Sequence, residues 1–283
     1  MKIGMALPLQ WLADVGALRE ASQALDDAGF DYVSTGGHML TAAVDRYPQR
    51  PSHTYSVPYR DPFVLFAHLA ASTKRLRFRP SIMILPLYPT PLVARAATDV
   101  SDLSDGRFEL GVGISWQPAE YEALGQNFHT RGARLEEQIE VLRLMWSEPL
   151  VSFNGRFHTI DGLGLGKLPG HPIPILIGCG REEPLLRRVA RLADGWLAMG
   201  SGLGEPVTRL RRYAEEAGRS ADAIEIVATL RLEQEDPETW AREAAELRSD
   251  GVTQILIAPP ANASVKDALA LLLKARDTVS LAS

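Results

Sequence analysis

Cysteine is almost missing from this chain. One thiol, Cys179, in 283 residues excludes an internal disulfide framework and any structural zinc site built on several thiolates, and a reducing cytoplasm fits best. Excess positive charge is missing as well. Lys and Arg number 30 against 35 Asp and Glu, and a net charge of -5 argues against a nucleic-acid binder. Arg187, Arg188 and Arg191, with Arg209, Arg211 and Arg212, are interleaved with apolar residues at helical spacing and read as solvated helix faces. No stretch reaches the roughly 20 apolar residues of a bilayer span. The opening MKIGMALPLQW has too short an apolar run for a signal sequence, so no membrane association is expected. There is no G-x-S-x-G elbow, no P-loop and no H-E-x-x-H, which disfavours hydrolases of those classes. His53, His68, His129, His158 and His171 lack the short spacings of metal ligands, so no metal is expected.

What is present is alternation. Short β-branched or apolar runs take turns with amphipathic stretches, the pattern of a parallel sheet with helical crossovers. Strands are expected at 2–8, 32–35, 76–85, 107–111, 174–177, 195–199, 224–230 and 254–258. Helices are expected at 15–28, from Pro62 to about Thr73, and at 91–103, 131–146, 184–192, 205–217, 239–248 and 265–275. Gly29 ends the first helix with a left-handed cap, and Asp61-Pro62 opens the second. Eight strand–helix pairs are the count that closes an α/β (β/α)8 TIM barrel, read here as a single domain over 1–283. Two departures interrupt the rhythm: a polar loop insertion after strand two (40–60), and a small hairpin excursion before strand five, VSFNGRFHTIDG, with Asn154-Gly155 as its turn. A doubly wound sheet would need a Gly-rich first turn, and LPLQWLADVG carries no G-x-G-x-x-G.

Barrel enzymes build their sites at the C-terminal ends of the strands, which narrows the candidates. His38 follows Gly36-Gly37 after strand two and reads either as a site imidazole or as a surface histidine in a glycine turn. Gly111-Val112-Gly113 and Gly178-Cys179-Gly180 either make tight turns or present backbone N–H groups to a phosphate, with Arg181 as a possible charge partner. Cys179 has no visible histidine partner and reads as a packing residue rather than a nucleophile. Glu109 and Glu120 lie near strand four and keep a paired-carboxylate glycosidase open, although one sits in the strand and the other on a loop helix.

The blocks AGFDYVSTGGHML, SDLSDGRFELGVGISW, the TRGAR continuation and PIPILIGCG resemble the luciferase-like monooxygenase superfamily, and within it the deazaflavin-dependent oxidoreductases, over about residues 1 to 200. The resemblance implies a phosphate-bearing cofactor, coenzyme F-420 by preference and FMN as the alternative. It implies His38 as acid or base near the reacting ring edge. Ser81 and Ile82 match a strand-three pair whose peptide is usually cis and backs the ring. Gly113, Ile114 and Ser115 match the turn bordering the cofactor, Gly178, Cys179 and Gly180 the loop that takes its phosphate, and Met199 and Gly200 border it at the end of strand six. Trp11, Tyr55, Tyr88 and Trp116 together suggest a flat, rather apolar substrate space, although each alone reads equally as a packing residue, and Arg231 either meets a polar substrate group or pairs on the surface. Relatives often carry Asp or Glu before the histidine; Gly37 stands there, removing a carboxylate that could orient the imidazole. Trp116 stands where related sugar-phosphate dehydrogenases carry Glu. The expected activity is hydride transfer between F-420 and a small organic substrate, with an FMN-dependent monooxygenase using reduced flavin and oxygen, or a non-catalytic barrel subunit, as alternatives. A homodimer is expected, as among relatives.

Overall fold

The computed structural model describes residues 1–46, 58–233, 235–261 and 263–281. Ten strands form among the described residues: β1 (Lys2–Ala6), β2 (Tyr32–Gly37), β3 (Arg77–Ile84), β4 (Leu110–Gly113), β5 (Val151–Asn154), β6 (Thr159–Leu163), β7 (Ile175–Cys179), β8 (Gly195–Ala198), β9 (Glu225–Arg231) and β10 (Gln254–Ala258). Nine α-helices accompany them among the described residues: α1 (Val15–Asp27), α2 (Pro62–Ala70), α3 (Thr90–Leu103), α4 (Pro118–Ala123), α5 (Arg131–Ser147), α6 (Glu183–Leu192), α7 (Gly204–Glu216), α8 (Pro237–Ser249) and α9 (Val265–Leu281). Eight parallel strands close in the order β1-β10-β9-β8-β7-β4-β3-β2, while β5 and β6 pair antiparallel outside the barrel. This is the TIM barrel expected from the alternation, with the hairpin where the period broke.

Local chemistry sets the helix ends. Asp14 accepts from Ala17 N at 3.0 Å to start α1, and Gly29, at φ 81°, takes the left-handed turn that follows it. Asp61 accepts from the amides of Phe63 and Val64, both at 3.0 Å, with Pro62 in the first turn of α2. The last helix runs six residues beyond the expected end, because Leu272, Ala275 and Val279 continue one buried stripe.

The fourth strand starts three residues later than expected. The backbone of residues 107–109 meets β3 through an isolated bridge at Phe78, whose N–H donates to Arg107 O at 2.8 Å and whose carbonyl accepts from Glu109 N at 2.9 Å. Glu109 turns into the barrel, where it accepts from Arg77 Nε at 2.9 Å and Arg79 Nε at 2.7 Å. Arg79 also reaches Gln254 Oε1 at 2.6 Å and lies 4.1 Å from the centre of the Tyr32 ring. Tyr32, Arg77 and Gln254 are each the first residue of their strand, so this knot closes the N-terminal end of the barrel. Above it Leu176, Leu197, Val227 and Leu256 pack with Tyr32 in the lumen. Among the described residues the barrel is therefore filled at its N-terminal end, and the C-terminal rim is the face left for a site.

The hairpin turn differs from the two-residue Asn154-Gly155 expectation. Asn154 already pairs with Thr159, and Gly155 N donates to His158 O at 2.9 Å. The loop wraps the Glu137 carboxylate, which accepts from Arg156 N, Phe157 N and His158 Nδ1 at 2.7–2.8 Å. A side chain from α5 thus dictates the turn.

Candidate active site

His38 leaves the end of β2 and is largely buried, its side chain 12% exposed. Its Nδ1 lies 2.7 Å from Glu120 Oε2, and Glu120 itself is 1% exposed. The other carboxylate oxygen, Oε1, accepts from Met39 N and Leu40 N, each at 3.0 Å. Glu120 rides on α4, which is fixed to the turn after β4: Tyr121 Oη donates to Ile114 O at 2.6 Å, and Gln117 N donates to Ser115 Oγ at 3.3 Å. Ser115 holds a left-handed φ of 54° at that turn. The carboxylate that Gly37 removes from the chain position before the histidine is therefore supplied from 82 residues away. Glu120 serves no glycosidase pair, because Glu109 is committed to arginines at the opposite end of the barrel.

Tyr59 and Trp116 meet the imidazole edge-on, at 5.3 Å and 6.4 Å between centroids. Burial pushes the Tyr59 hydroxyl up to about 12, and the Glu120 charge adds to the rise. Tyr88 packs into the same cluster as Ile82 and Tyr121; burial, then Asp61 and Glu120, raise its hydroxyl too. Both phenols stay protonated at neutral pH.

Ile82 connects the rim. The Ser81–Ile82 peptide is cis, and Ser81 Oγ is held at 2.6 Å by Ser34 Oγ. A Cβ on Gly37 would stand 3.4 Å from Ile82 O, one on Gly113 2.6 Å from Ile82 Cδ1, and one on Gly178 2.5 Å from Ile82 Cγ2. The ends of β4 and β7 thus converge on the Ile82 side chain and the end of β2 on its carbonyl, and His38 and residues 178–180 open at the same rim. Glycine at 113 and 178 is needed to let Ile82 lie flat between the strands. Gly178→Ala should cost about 1–3 kcal/mol by overpacking, read as a lower urea midpoint; an unchanged midpoint would mean that Ile82 moves aside freely.

Gly178 and Cys179 are not a turn but the last residues of β7, paired with Leu197 and Ala198; Cys179 is half-buried, burial pushes its thiol up to about 12, and its carbonyl accepts from Trp196 Nε1 at 3.1 Å. It stays a thiol that packs. Arg181 donates to the carbonyls of Met199 and Ser201 at 3.2 and 3.0 Å and pairs with no carboxylate among the described residues. It thereby ties the end of β7 to the Met199-Gly200 turn. Glu182 opposes it, with Oε2 2.3 Å from where a Gly180 Cβ would stand.

Other expected residues fall elsewhere. Met199, Gly200 and Arg231 line a cavity of about 650 Å³ on the β8 and β9 side, together with Thr229 and Trp240. Trp11 is 5% exposed, and its indole N–H donates to Ala263 O at 3.3 Å, a bridge between loops. Tyr55 and His53 lie outside the described residues. Tyr59 was not among the expected site residues, and Glu120 was expected only as half of a glycosidase pair, not as the partner of His38. No group of three or more His, Cys, Asp or Glu able to hold a metal occurs among the described residues.

Residues 2–273 match the family described as luciferase-like monooxygenase. The chain belongs to that family. An uncharacterized protein of Mycobacterium tuberculosis is 38% identical over 186 residues, covering 62% of this chain and 63% of the relative. A pyrimidine monooxygenase of Yersinia enterocolitica is 34% identical over 172 residues, covering 57% of this chain and 46% of the relative. The match thus spans between about half and just under two thirds of the curated relatives' length. Among solved structures, an F-420-dependent secondary alcohol dehydrogenase in complex with an F-420–acetone adduct superposes with a TM-score of 0.81 at 13% identity, covering 98% of each chain. That likeness shows the barrel fold alone. No helix among the described residues is long and apolar enough to cross a membrane.

Proposed function

We propose that this luciferase-like protein is an oxidoreductase that passes hydride between coenzyme F-420 and a small organic substrate, with His38 as acid or base. The observation that carries the reading is His38 held through Nδ1 by Glu120 at the edge of the Ile82 platform. The residues fit the group. An apolar floor, two glycines that a Cβ would close, and Arg181, with no ion pair among the described residues, at the end of β7 suit a planar ring carrying a phosphate, provided the Glu182 carboxylate at Gly180 turns away from it. Ser81, Ile82, Gly113, Ile114 and Ser115 would border the ring; Gly178, Cys179, Gly180, Met199 and Gly200 would hold the phosphate end.

When bound, the deazaflavin supplies a carbon that accepts or gives hydride. The chain does the rest. Because Nδ1 is committed to Glu120, proton exchange with substrate falls to His38 Nε2, which takes the hydroxyl proton of an alcohol as hydride leaves the adjacent carbon, or returns it in reverse. Tyr59, Tyr88 and Trp116 shield that exchange from water and favour a flat, apolar substrate. Arg231, with no ion pair among the described residues, would meet a polar group at the far side of the rim.

A second reading, an FMN-dependent monooxygenase, is favoured by the pyrimidine monooxygenase relatives. Titrating the purified protein with F-420 and with FMN, and following the fluorescence of each, separates the two. Saturable F-420 binding with substrate-dependent loss of its fluorescence is expected. Tight FMN binding without an F-420 response would transfer the assignment to the monooxygenase.

A further inference from the structure

Glu120 does two things at once, and its two oxygens divide them. Oε2 meets the His38 ring, while Oε1 takes the amides of Met39 and Leu40, the first residues of the segment that leaves the rim. A carboxylate only accepts, so Nδ1 must carry the proton and donate it. The side chain is 1% exposed, so little water competes for these bonds. Nor is α4 free to withdraw, since Tyr121 ties it to Ile114 O and meets Phe128 edge-on at 5.3 Å.

We propose that Glu120 is the positioning residue of this site: it fixes the His38 tautomer with the proton on Nδ1 and, with the same carboxylate, pins the start of the segment after β2. Imidazole orientation and loop position are thereby set together. The proposal deepens the acid–base reading of His38 and rests on that reading only for its catalytic consequence, since both structural effects are present without cofactor.

Glu120→Gln and Glu120→Ala separate the two tasks. In Glu120→Gln the amide oxygen still accepts from Met39 and Leu40, but the NH2 group now points at Nδ1 and donates. The ring proton must then move to Nε2. In Glu120→Ala both tasks are lost. The test is nitrogen-15 NMR of the imidazole together with amide hydrogen exchange at 39 and 40, on the full chain without cofactor. The wild type is expected to show Nδ1–H, and Glu120→Gln to show Nε2–H with the two amides still protected. Glu120→Ala is expected to speed exchange at those amides by about tenfold. An unchanged tautomer in Glu120→Gln overturns the tautomer role, and unchanged exchange in Glu120→Ala overturns the pinning role. With either cofactor loaded, Glu120→Gln should lower kcat while leaving cofactor affinity intact. A tautomer switch in a protein that binds neither F-420 nor FMN would uphold this inference and sink the oxidoreductase reading.

Discussion

Replacing His38 with Ala is expected to slow substrate-dependent cofactor turnover by about 10²- to 10⁴-fold, the usual span for loss of a positioned acid or base. Cofactor affinity should change little, because the predicted ring floor is Ile82 and the glycines around it, not the imidazole. The contrast between kcat and binding is the informative part. A fall in both would make the histidine a structural prop of the rim. An unchanged rate would remove it from the chemistry and revive the silent-barrel alternative. The deletion also leaves Glu120 with Oε2 unpartnered at 1% exposure, so thermal unfolding should be followed in parallel.

The largest stability effect is expected at Glu109. Burial alone would raise its carboxyl, but Arg79 and Arg77 outweigh that and hold it below its ordinary value of 4.5. Glu109→Ala strands the Arg79 guanidinium, itself 1% exposed, and should cost about 3–5 kcal/mol, seen as a lower urea midpoint at unchanged slope. The pH dependence follows from the direction of the shift. A depressed carboxyl stabilises the fold above its unfolded value and ceases to do so as pH falls through its folded one. The wild type should therefore lose stability on acidification below about pH 4.5 in excess of the variant. Parallel stability curves for the two proteins in that window would show that the knot contributes nothing through this carboxyl.

The barrel was legible because each strand and helix announces itself locally. Gly29, Asp14 and Asp61-Pro62 act on their own neighbours and end up where their chemistry requires. The misplacements share a different cause. Phe108 and Glu109 look like strand residues, but Glu109 answers to arginines on β3. Asn154-Gly155 looks like a two-residue turn, but Glu137 on α5 reshapes it. The same holds at the site. His38 stood out by its place after β2, and Ser81, Ile82 and the strand-end glycines by the family pattern. Glu120 stood out only as a candidate glycosidase carboxylate, because its pairing with His38 is defined by a partner 82 residues away, and the local text PAEYEA says only that a short helix begins. Tyr59, at the end of the inserted loop, had no periodicity to place it.

The knot of Arg79, Glu109 and Gln254 has a kinetic consequence. A lumen stoppered at its base offers one doorway, so whatever settles deepest must arrive first and depart last. A ring lying on Ile82 would then be covered by the substrate that follows it, and turnover would proceed through an ordered ternary complex instead of random exchange from two sides.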